Sequence, residues 1–100
     1  MTEHRVEILY IEDCPNWRVT DARLTSLSLG QGFTIQRTLV RTAAEAERIA
    51  FRGSPTVLVD GVDPFASGDE PVGLACRIYH TPVGTAGSPT LEQLREAVVR

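Results

Sequence analysis

The most constraining feature of this chain is an apolar strand that runs directly into a helix start marked by Cys14 and Pro15. The stretch from Val6 to Ile11 is almost continuously apolar, which is typical of a central strand covered on both faces. Proline favours the first turn of a helix, because its missing N–H has no partner there. Cys14 is therefore expected at the mouth of the first helix, where free amides and the helix dipole favour the thiolate, the nucleophilic and metal-binding form of cysteine.

The composition limits the chemistry that the chain can perform. Its 100 residues are 42% hydrophobic and 23% charged, which fits a single domain over 1–100 with its own core. The net charge of −3 argues against a nucleic-acid partner. All 10 basic residues are arginine, so no lysine amine exists for a Schiff base or a P-loop contact. Without a run of roughly 20 apolar residues or a signal-peptide pattern, we expect a cytoplasmic protein and no membrane partner.

Periodicity predicts an α/β domain with the order β-α-β-α-β-β-α, a four-stranded mixed sheet and helices on both faces. The expected strands are 6–11, 33–39, 56–59 and 74–79, and the expected helices run from Pro15 or Asn16 to about Leu29, from Thr42 to near Gly53, and from Thr90 onward. The first three strands alternate with helices, which predicts parallel pairing among them. The last two strands are close in sequence and are expected to pair antiparallel.

Helix caps and loops complete this prediction. Thr42 with Glu45, and Thr90 with Gln93, have the spacing of capping boxes. The stretch 62–73 is rich in proline, glycine, serine and acidic residues, so it is expected to be an irregular loop.

This order, with a Cys-Pro at the start of the first helix, resembles the thioredoxin fold. The segment Gly53-Ser54-Pro55-Thr56 before the third strand agrees with it, because thioredoxin-like proteins carry a cis proline there, beside the active cysteine. The resemblance implies a cis Ser54–Pro55 bond whose backbone could pair with an extended substrate or glutathione as an added strand. More narrowly, four segments are similar to short bacterial thioredoxin-like proteins, some labelled after alkylmercury lyase and some grouped with selenoproteins: 14–17, 51–56, 59–65 and 73–79.

One departure from thioredoxin shapes the function hypothesis. Trp17 stands where a Cys-x-x-Cys oxidoreductase has its second cysteine. The leading hypothesis is therefore thiol–disulfide or glutathione-type exchange through Cys14 as the single nucleophile, in the manner of a monothiol oxidoreductase. An external thiol would resolve the intermediate, or Cys76 would act as a distant resolving thiol. The partner would be a low-molecular-weight thiol or a protein disulfide, and no cofactor is implied.

The candidate site residues follow from this hypothesis. Cys14 and Cys76 are the candidate catalytic residues; the candidate substrate-binding residues are Pro15, Asn16, Trp17, Ser54 and Pro55. Two strand steps would separate the cysteines by roughly 10 Å, so a bridge would need movement. A buried, small hydrophobe is the slightly favoured account of Cys76.

Several neighbours of the site carry charge or aromatic surface. Trp17 is expected to cover the thiol or to pack beneath it. Glu12 and Asp13 would oppose formation of a thiolate. Arg77 is expected on an exposed face; in the alternative, Arg77 and His80 hold an anion near the cis proline.

Two further functions stay open. The fold could be a non-catalytic binding module that uses the loop 62–73 and the cis-proline edge. Alternatively, Cys14 and Cys76 could bind mercury or another soft metal as thiolates. A zinc site is disfavoured, because no pair of cysteines or histidines has ligand spacing.

Overall fold

The structure, a computed structural model, describes residues 4–99. Its elements in chain order are β1 (Arg5–Tyr10), α1 (Asn16–Gln31), β2 (Thr34–Leu39), α2 (Ala43–Arg48), β3 (Thr56–Val59), β4 (Tyr79–Thr81), β5 (Gly84–Ala86) and α3 (Leu91–Val99). The first three strands form a mixed sheet in the order β2-β1-β3, and β4 pairs with β5 in a separate hairpin. Among the described residues, no helix is both long and apolar enough to cross a membrane.

The central strand β1 divides the core in two. Val6 and Ile8 point to one face of the sheet, where α1 and α3 cover them; Leu9 points to the other face, on the side of α2. The first cluster also contains Leu24, Leu27, Phe33, Val57, Leu94 and Val98, and the second contains Val40, Ala46 and Phe51. The predicted α/β architecture with helices on both faces is confirmed.

The prediction of parallel pairing is correct for β2 and wrong for β3, which runs antiparallel to β1. A parallel return must carry the chain back along the whole strand. The 16-residue α1 rises about 24 Å, enough for a six-residue strand of roughly 20 Å. The six-residue α2 rises only about 9 Å, so the chain enters β3 from the end at which β2 finishes.

The prediction of a four-stranded sheet is wrong, because the outer edge of β3 is taken by a tight turn. At Asp60–Gly61 the chain reverses, and Val59 and Val62 exchange backbone hydrogen bonds of 2.8 and 3.1 Å. The loop 62–73 that follows is irregular, as predicted.

The strand predicted at 74–79 is also wrong. Before Tyr79, only Cys76 in this stretch forms a bridge, to Ser54, and the apolar Leu74 and Ile78 are exposed, 41% and 67% respectively. Their apolar alternation therefore faces solvent and not a core. The fourth strand begins at Tyr79 and pairs with β5, a strand that was not predicted from the sequence.

Of the two predicted capping boxes, the one at Thr90 is complete and the one at Thr42 is half formed. The Thr42 hydroxyl accepts from the amide of Glu45 at 3.1 Å, although the Glu45 carboxylate accepts from the amide of Arg41 and not from that of Thr42. In α3 the box is reciprocal, because Thr90 Oγ1 accepts from the Gln93 amide and Gln93 Oε1 accepts from the Thr90 amide.

Candidate thiol–disulfide site

A disulfide joins Cys14 and Cys76, whose Cα atoms are 5.8 Å apart. We expected the two cysteines to lie roughly 10 Å apart, so that a bridge between them would need movement, and this expectation is wrong. That expectation placed Cys76 on an edge strand beyond β3. Instead, residues 75–77 lie directly beside Ser54, and this brings Cys76 to the mouth of α1.

Cys14 lies in the interior, at the predicted junction of β1 and α1. It has no exposed surface, and its sulfur lies 3.4 Å from the carbonyl oxygen of Ser54. Pro15 caps α1, which begins at Asn16, so the predicted helix start is confirmed. Because the sulfur of Cys14 is buried and already bonded, a lone Cys14 nucleophile does not describe this state of the protein.

Cys76 has the opposite environment. It is an exposed residue, so the account of Cys76 as a buried small hydrophobe is wrong. Leu74 and Ile78, which flank it at alternate positions, are also exposed. The disulfide therefore joins a fully buried residue to an exposed one.

The Ser54–Pro55 peptide bond is cis, as the resemblance implies. Both residues are fully buried. Ser54 donates from its amide to the carbonyl of Ala75 and accepts from the amide of Arg77, both at 2.8 Å. The expectation that this backbone is free to pair with a substrate is therefore wrong, because the segment that carries Cys76 already pairs with it.

Two side-chain hydrogen bonds fix this backbone further. The Ser54 hydroxyl accepts from the amide of Ile11 at 3.1 Å, which ties the cis-proline turn to the end of β1. The Tyr79 hydroxyl donates to the carbonyl of Pro55. Burial raises the pKa of Tyr79, so its hydroxyl stays a proton donor across the physiological range.

A buried ion pair anchors the residue after Cys76. Arg77 is only 4% exposed, and its Nη1 donates to Asp63 Oδ2 at 2.6 Å. The expectation of an exposed Arg77 is wrong, and its charge is compensated by Asp63 instead of being offered to an anion. Burial lowers the pKa of Arg77, but the hydrogen bond that it donates to Asp63 and the nearby negative charge outweigh this effect, so the net shift is upward.

Gly53 allows the backbone around Arg77 to lie close beside the cis-proline turn. Its φ is +106°, and an added Cβ would lie 2.9 Å from the Cβ of Arg77. Any larger residue would push away the backbone that carries Cys76.

The remaining candidate binding residues lie around the first turn of α1. Pro15 is exposed, whereas Asn16 and Trp17 are half-buried. Trp17 stacks on Tyr10 with ring centroids 4.2 Å apart, so it fixes α1 against the end of β1. The side chain of Asn16 packs so closely on Gly87 that no Cβ fits there.

A cleft of about 430 Å³ lies next to the disulfide-bonded residues. It is lined by Ile11, Glu12, Asp13, Leu39, Val40, Arg41 and Leu74. Glu12 and Asp13 are exposed and directly precede Cys14, so the rim carries more negative than positive charge. Within residues 4–99, no group of three or more His, Cys, Asp or Glu side chains is placed to hold a metal ion.

Sequence reasoning missed Asp63, Tyr79 and Arg41 as neighbours of the site. Asp63 and Arg77 are 14 positions apart across an irregular loop, so no periodic spacing links them. The only signal was an arginine within an apolar stretch, which needs a partner if it is buried.

No protein-family model matches the chain, and no curated protein matches it, so the function is argued from the site itself.

Proposed function

We propose that this protein is a thioredoxin-like domain that performs thiol–disulfide exchange through a reversible Cys14–Cys76 disulfide. The observation that carries the proposal is the pairing of a buried cysteine at a helix mouth with an exposed cysteine. The strand order β2-β1-β3, the helices on both faces and the cis bond at Ser54–Pro55 support the thioredoxin-like part. Cys76 takes the role of the second thiol that Trp17 leaves unfilled in the Cys-x-x-Cys position.

The exposure of the two residues sets the direction of attack. An incoming thiolate reaches the sulfur of Cys76, forms a mixed disulfide with it, and displaces Cys14 as a thiolate that keeps the electron pair of the broken bond. The N-terminus of α1 favours negative charge at Cys14. A second thiol then attacks the mixed disulfide and releases Cys76. Two partner thiols are oxidised to one disulfide, and the Cys14–Cys76 pair is reduced to two thiols.

A redox titration tests this function. The protein is equilibrated in glutathione buffers of graded potential, quenched with an alkylating reagent and analysed by mass. An exchange-active pair should titrate reversibly within roughly −120 to −270 mV, the span of known thiol oxidoreductases. A pair that stays oxidised below about −300 mV would be a structural disulfide, and the proposal would be abandoned.

Two single variants provide the matched control. Cys14→Ser leaves the exposed Cys76 thiol, which should alkylate and glutathionylate readily. Cys76→Ser leaves the buried Cys14 thiol, which should react more slowly with the same reagents. Equal rates for the two variants would contradict the proposed order of attack.

The expected cytoplasmic location fits a reversible pair. Structural disulfides are rare in reducing compartments, where cytosolic disulfides are usually transient and catalytic or redox-sensing.

Capture of a soft metal is a second candidate, and one observation favours it. The two sulfurs lie close enough to be bonded, so after reduction both thiolates can reach a single mercury ion. Mercury titration of the reduced protein should then give one ion per chain, with much weaker binding in Cys14→Ser and Cys76→Ser alike. Undiminished binding in either variant would remove this candidate.

A further inference from the structure

The stretch 74–78, here called the Cys76 segment, has one paired and one open backbone edge. The carbonyl of Ala75 and the amide of Arg77 bond to Ser54 on the inner edge. In this parallel bridge Ser54 bonds to the residues on either side of Cys76, so the backbone groups of Cys76 itself point to the opposite side. The N–H and C=O of Cys76 therefore face outward, and across residues 4–99 neither has a hydrogen-bond partner.

Exposed apolar side chains flank the sulfur on this segment. Leu74 and Ile78 lie two positions before and two positions after Cys76. Leu74 is 41% and Ile78 67% exposed, and neighbouring Val72 is 43% exposed. Free backbone groups beside exposed apolar side chains are the features that an added β-strand recognises.

Charge selects between kinds of thiol. The chain carries a net charge of −3, and the exposed Glu12 and Asp13 directly precede the cysteine that is bonded to Cys76. Like charge repels a small anionic thiolate such as glutathione, whereas a basic peptide is attracted. The surface is therefore complementary to an apolar peptide with basic residues.

Building on the proposed exchange function, we propose that the physiological partner is a dithiol protein that presents a cysteine in an extended, apolar and basic segment. This segment adds as a strand to the outer edge of the Cys76 segment. Its first thiolate forms a mixed disulfide with Cys76 and displaces the thiolate of Cys14. The partner's second thiol then forms a disulfide with the first and releases Cys76, so the partner is oxidised and the Cys14–Cys76 pair is reduced.

Reduction kinetics with model thiols test this partner class. The oxidised protein is mixed with glutathione or with a short peptide in which valines and arginines flank one cysteine, at equal thiolate concentration, and the loss of the disulfide is followed by rapid quench. The peptide should react about tenfold faster, equivalent to roughly 1.4 kcal/mol. Two further peptides carry N-methyl groups along one edge or the other. The peptide methylated on the edge that would bond to Cys76 should react at the glutathione rate. The peptide methylated on its other edge should react as fast as the unmethylated peptide.

Matched variants test the apolar contact. Ile78→Asn should slow the peptide several-fold and leave the glutathione rate unchanged. Val83→Asn, at a 93% exposed position in the turn between β4 and β5, should change neither rate. An unchanged peptide rate in Ile78→Asn would overturn the docking surface.

The outcomes separate the two proposals. If glutathione and every peptide reduce the disulfide at the same rate, strand addition is wrong and the exchange function stands. If neither glutathione nor any peptide reduces it, the exchange function fails and the partner class fails with it.

Discussion

Cys14 and Cys76 share one covalent bond, yet the regions that carry them are held in different ways. Cys14 follows β1 and precedes α1, which pack through buried apolar side chains such as Val6 and Leu24. Cys76 follows the irregular loop 62–73, in which Phe65 packs against the core and other residues form polar contacts. These include Arg77 with Asp63, Arg52 with the carbonyl of Glu70, and Ser67 with the Glu70 carboxylate.

This difference explains how one bond can be both protected and reactive. Apolar packing is non-directional and holds the Cys14 side whether or not the disulfide exists. The Cys76 side depends more on directional contacts and on the disulfide itself, with Phe65 as its apolar contact to the core. Reduction should therefore loosen the Cys76 side while the sheet and α1 persist, which is the behaviour a reversible pair requires.

Removal of the disulfide should have the largest effect on stability. The bond closes a loop between positions 62 residues apart, for which chain entropy gives about 4 kcal/mol of stabilisation. Cys76→Ala should lower the free energy of unfolding in urea by about this amount. Reduced wild-type protein provides the control, since it should unfold with nearly the same free energy as Cys76→Ala.

Cys14→Ala should cost about 1 kcal/mol more than Cys76→Ala, because it also leaves a small cavity at a fully buried position. Equal losses in the two variants would contradict the difference between the buried and exposed sides.

Loss of the buried ion pair should come next. Asp63→Asn leaves the charge of Arg77 buried without its counter-ion, which typically costs about 3 kcal/mol. The measurement is urea unfolding under reducing conditions, so that the disulfide does not mask the effect. Asp21→Asn is the matched control: Asp21 pairs with the more exposed Arg37, and its loss should cost under about 1 kcal/mol.

A double variant sharpens this test. Replacing both partners, as Asp63→Leu with Arg77→Met, should cost less than Asp63→Asn alone, because no uncompensated charge remains. A cost equal to or above that of the single change would show that Arg77 contributes through something other than its charge.

The well-predicted part of the molecule is the part held by local signals and apolar periodicity. The strand at Val6, the helix start beside Pro15 and the capping boxes at Thr42 and Thr90 each depend on residues within one or two turns. These local signals predicted most of the helices and strands up to β3, and also the last helix. They also placed Cys14 at the helix mouth.

The part that was missed depends on contacts between positions distant in sequence. The stretch around Cys76 has the apolar alternation of a strand, but its position is set by Ser54, by Cys14 and by the Arg77–Asp63 pair. No local pattern encodes those partners. The direction of β3 was missed for another reason, since it follows from the shortness of α2 and not from the alternation of strands and helices.

The smallest predicted effect tests the polar contacts of the loop through pH. Glu70 accepts hydrogen bonds from the hydroxyl and amide of Ser67 and from the amide of Gly68, which lower its pKa from 4.5 to about 2. A carboxyl whose pKa is depressed in the folded state contributes stability above pH 4.5, and that contribution is lost as the pH falls from 4.5 towards 2. Wild-type protein should therefore exceed Glu70→Gln in stability by a constant small amount above about pH 5, and the difference should vanish near pH 2. Ser67→Ala removes the hydroxyl donor. It should bring the Glu70 pKa measured by NMR back towards 4.5 and so narrow the pH range over which the stability difference changes. If the difference between wild type and Glu70→Gln were the same at pH 2 and pH 6, these hydrogen bonds would not hold the loop, and the order of the Cys76 side would have to come from the disulfide and the buried ion pair alone.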